Sequence, residues 1–256
     1  MSHHLVIAQN LCYVYPDGTQ ALDGIHFRIT HGESVAVIGG NGAGKSTLLM
    51  HLNGCLVPAS GSVRVGDFPI TAKTLPHVRE TVGMVFQDPD DQLFMPTVED
   101  DVAFGPINLG LPQEEVSARV DEALRTVGAL HLKHRPPYRL SGGEKRAVAI
   151  ATVLAMSPSI LVMDEPTSNL DPLARRQLIA LLKRFDHTLI IATHDLDMAL
   201  DVCKRTLILK NGKIVADGPT AELLQNRSLL EECRLEMPLR LQGCPICGSG
   251  KEDGTP

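Results

Sequence analysis

The 256 residues, 43% hydrophobic and 21% charged, suffice for one large or two small buried cores. A formal net charge of −6 speaks against nucleic acid as the main partner, because phosphate binding favours basic proteins. No apolar run approaches the roughly 18–20 residues that span a bilayer, and Met1-Ser2-His3-His4 lacks the basic and apolar regions of a secretory leader; the chain is expected in the cytoplasm, so any membrane role needs separate membrane-spanning partners.

Residues 5–38 read as strands and turns, with Pro16-Asp17-Gly18 as a turn signal. Ser34 to Ile38 is compact and apolar without polar alternation, as a strand buried on both faces requires. Directly after it, Gly39-Gly40-Asn41-Gly42-Ala43-Gly44-Lys45-Ser46-Thr47 fits the phosphate-binding pattern GxxxxGK[ST], with a helix expected from about Lys45. Glycines let backbone N–H groups turn toward phosphate oxygens, and a helix N-terminus adds a favourable partial charge. Lys45 would meet the β- and γ-phosphates of a nucleotide, and Ser46 would hold Mg²⁺.

The middle of the chain changes character. Val116, Val120, Leu124 and Val127 form an apolar stripe at helical spacing, with Gly128 where a helix C-cap belongs. A second helix is predicted from Ser141 through Ala147, Val148, Ile150 and Leu154, ending before Pro158. This Pro-bounded block reads as a helical insertion in an α/β core. Its opening, Leu140-Ser141-Gly142-Gly143-Glu144, is on bare residues an N-cap followed by glycines. It is also a second exposed helix N-terminus able to take an anion. One nucleotide has no evident need of two such sites; two chains sharing two nucleotides would.

The α/β pattern then resumes. Ile160-Leu161-Val162-Met163 is an apolar strand ending in Asp164 and Glu165. Beside a phosphate loop, Asp164 is placed to support Mg²⁺ and Glu165 to polarise an attacking water; alone, the pair would be solvated acids at a strand end. Thr188–Ala192 reads as another buried strand, and Asn211-Gly212, between Leu207-Ile208-Leu209 and Ile214-Val215, signals a hairpin. From about Asn226 the pattern weakens into a polar tail containing Cys244-Pro245-Ile246-Cys247. Cys12, Cys55, Cys203 and Cys233 are scattered singly, as expected of reduced thiols. The tail pair is half a zinc knuckle; Cys233, a His or a second chain would have to complete it, and a tail with free thiols remains the plainer account.

The order of phosphate loop, Leu-Ser-Gly-Gly-Glu, strand with paired acids, and a His after a strand resembles the ATP-binding cassette family over roughly residues 5–225. The resemblance implies an α/β fold: a P-loop core with a mainly parallel sheet, an N-terminal antiparallel β part, and a helical subdomain inserted at about 90–158. Residues 1–225 would form the ATPase domain and 226–256 a tail. It further implies ATP and Mg²⁺ as cofactors. Gln87 resembles the glutamine that approaches Mg²⁺ and the lytic water, Ser168-Asn169-Leu170-Asp171 the loop crossing to the opposite subunit, His194 the switch histidine at the γ-phosphate, and Tyr15 the aromatic that stacks on adenine. Ser141, Gly142 and Gly143 would contact the nucleotide held by a partner chain. Glu144 stands where many such signatures carry Gln.

A finer likeness lies in Gln87-Asp88-Pro89-Asp90-Asp91-Gln92-Leu93-Phe94 and in Thr97 to Pro106. These segments are similar to the ATPases of energy-coupling-factor importers, most of all to the cobalt and nickel branch. That likeness implies a motor at the cytoplasmic face of the membrane, partnered by a second ATPase subunit (a homodimer, all motifs being intact here, or a family-style heterodimer), a membrane coupling protein and a substrate-binding membrane protein. The rivals are the same motor in a vitamin or amino-acid importer, a soluble cassette ATPase of DNA repair or translation, and a metal-binding regulator acting through the Cys pair.

Overall fold

A computed structural model describes residues 6–242. The chain opens with β1 (Val6–Val14), β2 (Gln20–Ile29) and β3 (Ser34–Ile38), then enters α1 (Lys45–Leu52) through the Gly-rich loop. It returns in β4 (Ser60–Val65) and the two-residue β5 (Phe68–Pro69), followed by α2 (Leu75–Thr81) and β6 (Val82–Val85). A helical stretch comes next: α3 (Val98–Asn108), α4 (Gln113–Thr126) and α5 (Gly142–Leu154). The remainder alternates as β7 (Ile160–Asp164), α6 (Pro172–Leu182), β8 (Thr188–Ala192), α7 (Leu196–Val202), β9 (Arg205–Lys210) and β10 (Lys213–Pro219), closing with α8 (Thr220–Leu223) and α9 (Arg227–Glu232).

Two sheets result. An antiparallel one has the order β2-β1-β4-β5; the other runs β10-β9-β3-β8-β7-β6 and is parallel except for the β9–β10 hairpin. The long strand-free connections between parallel neighbours carry the helices, as parallel pairing requires. Successive residues of β3, β7 and β8 serve two cores. Ala36, Ile38, Leu161, Met163, Leu189 and Ile191 pack toward the helices α3–α7. Val35, Val37, Ile160, Val162, Ile190 and Ala192 pack toward α1 and the antiparallel sheet. Burial on both faces is why these strands read as unbroken apolar runs.

The helices α3, α4 and α5 pack on one another. α4 presents Val116, Val120 and Leu124 inward and ends at Val127, with Gly128 at φ 73° beyond it. α5 starts on Ser141 as N-cap, with a reciprocal capping box to Glu144. The hairpin turn has both Asn211 and Gly212 at positive φ, 51° and 75°, as the Asn-Gly pair predicts. Residues 227–242, which the sequence leaves without a pattern, are packed instead. Leu230 and Cys233 are buried, and Arg240 pairs with Asp197 and Asp201 at 2.9 and 2.8 Å, tying this segment to α7. Cys244, Cys247, His3 and His4 lie outside the described residues.

Candidate functional site

Four segments leave the parallel sheet at the C-terminal ends of their strands: Gly39 after β3, Gln87 after β6, Glu165 after β7 and the Thr193–His194 turn after β8. The register sets them side by side, with Val37 and Asp164 both paired to Ala192 and Val85 paired to Met163. In an open parallel sheet this edge is where ligands bind.

The glycine loop is held from behind. Ala43 O accepts from the hairpin residue Gly212 N at 3.1 Å, and Ala43 N donates to Gly40 O at 3.1 Å. Gly44 has φ 103°, and a Cβ there would stand 2.5 Å from Ala21 O, so β2 passes too close for any side chain. Lys45 opens α1 and is buried. Its Nζ donates to Gly39 O at 2.8 Å and Gly40 O at 3.4 Å, and lies 3.9 Å from Glu165 Oε1. Thr47 is buried, and its hydroxyl meets Tyr15 OH at 2.9 Å. Tyr15 therefore sits against the loop helix, edge-on to Tyr13 at 5.1 Å.

Asp164 is 3% exposed at the end of β7, and its Oδ1 has no hydrogen-bond partner among the described residues. Burial pushes its carboxyl above the usual range and the neighbouring Glu165 charge adds to this. A hydrogen bond from Ser46 and the charges of Lys45 and Arg146 pull the other way. Glu165 adopts φ 45°, with its N–H on Ala192 O at 2.8 Å. Its Oε2 accepts from His194 N at 3.0 Å and lies 2.7 Å from His194 Nδ1. A buried carboxylate is thus aimed by an imidazole that is itself 66% exposed. The arrangement presents an oriented carboxylate, able to polarise a water, beside an exposed His and a Lys placed to meet phosphate.

Gln87 is exposed, and its backbone O accepts from Arg146 Nη2 at 2.5 Å. Ser141, Gly142 and Gly143 stand at the open end of α5. Among the described residues no hydrogen bond or ion pair joins them to Gly39–Thr47. A Cβ on Gly142 would meet nothing within 4 Å. Glu144 closes the cap of α5: its Oε2 accepts from Ser141 N at 2.7 Å, and that bond holds its carboxyl below the usual range.

Sequence reasoning missed three supports of this site. Arg175 on α6 pairs with Asp195 through Nε at 2.6 Å and Nη2 at 2.8 Å, tying the Leu170 loop to the residue after His194. Asp101 is buried and accepts from Phe94 N and Met95 N, each at 3.0 Å. Arg146 is buried between α5 and the Gln87 segment. Only Arg146 left a trace in the sequence: it shares the apolar stripe of Ile150 and Val153, where a cation is out of place.

The family model described as ABC transporter matches residues 22–168. A putative ABC transporter ATP-binding protein of Geobacter sulfurreducens is 66% identical over 248 residues, 97% of this chain and 100% of that protein. An energy-coupling factor transporter ATP-binding protein of Methanospirillum hungatei is 47% identical over 240 residues, 92% of this chain and 87% of its own length. Among solved structures, cbiO1 from Clostridium perfringens, described as part of the ABC transporter complex cbiONQ, is similar with a TM-score of 0.78 and 42% identity, over 90% of this chain and 94% of that one. The cassette MJ0796, dimeric and bound to ADP and Pi in a post-hydrolysis state, is similar with a TM-score of 0.77 and 28% identity, over 84% of this chain and 98% of that one.

Proposed function

The chain belongs to the ABC transporter family, as an ATP-hydrolysing subunit with energy-coupling-factor relatives, and on that premise we propose that it drives an importer of cobalt or nickel ions. The observation that carries the catalytic part is the buried Glu165 carboxylate, aimed by His194 and 3.9 Å from Lys45. In this reading Gly39–Thr47 wraps the phosphates of ATP, Tyr15 stacks on its base, Glu165 polarises the attacking water, and His194 contacts the γ-phosphate. Ser141, Gly142 and Gly143 reach the nucleotide of a second copy, so two chains share two sites.

A divalent cation fits the residues present. The orphaned Asp164 Oδ1 is a hard oxygen beside the Ser46 hydroxyl. Ser46, Asp164 and Gln87 would hold Mg²⁺, which when bound supplies charge neutralisation at the β- and γ-oxygens.

The transport part rests on a groove. Between β6, α3 and α5 lies a cavity of about 460 Å³ lined by Met84, Phe86, Leu109 and Met156. Phe94 and Phe104, 64% and 44% exposed, meet edge-to-face at 5.1 Å on its rim. Two exposed aromatics beside an apolar groove, in a chain only 4% aromatic, suit the docking of a partner helix. The acidic segment before Phe94 is less open than its sequence suggests, because Asp90 is paired with Lys145 at 2.6 Å; Asp91 remains exposed. No helix among the described residues is long and apolar enough to cross a membrane, so the partners supply the span: a coupling protein and a substrate-binding membrane protein. The chain then sits peripherally on the cytoplasmic face.

Asp91→Lys combined with Phe94→Ala tests this. Nucleotide affinity of the purified chain should stay within about twofold, because neither side chain touches the phosphate loop. Co-purification with the membrane partners and uptake of radioactive cobalt or nickel should be lost. Persisting uptake would remove the groove from the coupling path. Uptake of a vitamin or amino acid but no metal, in the unaltered complex, would overturn the cargo.

A further inference from the structure

Arg146 lies one turn into α5, 3% exposed, and points into the seam where α5 meets the exits of β6 and β7. Its guanidinium donates to Phe86 O at 2.8 Å and to Gln87 O at 2.5 Å. Burial lowers its basicity, while the carboxylates of Asp88 and Asp164 favour its charge; its Nε has no acceptor among the described residues. A buried cation with an unused donor is an expensive way to fill a helix seam, since apolar side chains of similar volume usually do so as well or better.

Arg146 is joined by two further fastenings. Lys145 Nζ pairs with Asp90 at 2.6 Å. Gln92 donates to Ala149 O and Thr152 Oγ1, each at 2.7 Å, and accepts from Phe86 N at 3.2 Å. Residues 86–92 are therefore carried on α5. Across the seam α5 is less tightly joined: Gly143, Ala147 and Ile150 border a cavity of about 340 Å³ whose far wall is Leu170, Ala174 and Leu178. A shift of α5 against α6 has room, and it would carry the Gln87 backbone with it.

We propose that Arg146 is a positioning residue that makes the two nucleotide sites of a dimer act together, by locking Gln87 of its own site to the helix whose N-terminus, Ser141 to Gly143, serves the partner's site. This rests on the shared-site reading given above. Arg146 touches no nucleotide; it passes displacement of α5 to the Gln87 main chain, and its fork is suited to two adjacent carbonyls where a Lys ammonium holds one well.

The test uses the full chain in its dimeric form, with ATP hydrolysis followed against ATP concentration for Arg146→Met and Arg146→Lys. Coupling energies between sites predict that Arg146→Met lowers kcat about tenfold, with the Hill coefficient falling from about two toward one. ATP affinity of the separate chains should change less than about twofold, since the phosphate loop is untouched. Arg146→Lys should recover part of both the rate and the cooperativity, and it carries the comparison if the Met variant does not fold. A folded variant with wild-type cooperativity overturns the proposal. So does a rate loss that only tracks the folded fraction by thermal unfolding, with the Hill coefficient unchanged. An unaltered chain that dimerises with ATP but hydrolyses it without cooperativity overturns this proposal alone. One that hydrolyses ATP as a monomer overturns the shared-site reading as well.

Discussion

Glu165 is held from several directions. Its N–H is fixed on Ala192 O, its Oε2 meets both the main chain and the ring of His194, and its backbone sits at φ 45°, where non-glycine residues are uncommon. Such a carboxylate is oriented before any ligand arrives, so its chemistry can be separated from its shape. Glu165→Gln keeps an oxygen for the His194 N–H but is a poor base. Hydrolysis should fall by about 10²–10⁴-fold while ATP binding survives, and the ATP-bound dimer should accumulate, measured by size exclusion with light scattering. Normal turnover, or no dimer with ATP, would remove Glu165 from that role. Glu165, Asp164 and Lys45 were legible because each follows a signal in its own few residues: an apolar strand, then acids, or a glycine run, then Lys-Ser. Asp101 was not, because what singles it out is burial by elements far away in sequence; Arg146 left only its place on an apolar stripe, with its partners at Phe86 and Gln87 some 60 residues away.

The same division holds for whole elements. β3, β7 and β8 are plain in the sequence because burial on both faces leaves an uninterrupted apolar run. α3 is hidden: Glu99, Asp100 and Asp101 crowd its first turn and Pro106 lies inside it. It forms because Thr97 caps it, accepting from Asp100 N at 3.2 Å, and because acids favour a helix N-terminus. Asp101 then turns inward and caps the chain that precedes the helix. Burial pushes its carboxyl above the usual range, against the Phe94 and Met95 N–H bonds that pull it down, and the nearby Asp100 charge also raises it. A carboxyl whose folded pKa lies above its unfolded one contributes fully below the unfolded value and loses that contribution as pH rises through the folded value. Asp101→Asn keeps an acceptor for the two N–H groups and cannot ionise. It should be more stable than the unaltered chain at neutral pH, with the difference closing below about pH 4. Denaturant midpoints at both pH values measure this; equal midpoints at neutral pH would mean the charge is well solvated in the fold.

At the scale of the molecule, one chain gathers Lys45, Ser46, Asp164, Glu165, His194 and Gln87 along one sheet edge and leaves Ser141 to Gly143 on a separate helix end, joined to the phosphate loop by no hydrogen bond or ion pair among the described residues. The first-turn N–H groups of α5 are partly served by the capping box, yet Gly142 has open space around it, and the helix N-terminus favours negative charge. A γ-phosphate of a second copy answers to that description. Ser141→Arg removes the cap, places a bulky cation at the positive end of the helix, and should stop hydrolysis at the partner's site. Lys45→Ala should stop it at the chain's own site. Each variant alone is then inactive. Mixed in equal amounts, the two chains pair at random, so half of the dimers are mixed. In each mixed dimer one site combines both lesions, and the other joins an intact phosphate loop to an intact helix end. Activity of about a quarter of the unaltered protein should return, less where one site depends on the other. Recovery above either variant alone, measured as phosphate release from dimers verified by two different affinity tags, marks composite sites. If verified mixed dimers stay inactive, the sites are not shared between chains in this way; if Ser141→Arg alone keeps its activity, the open end of α5 serves no nucleotide.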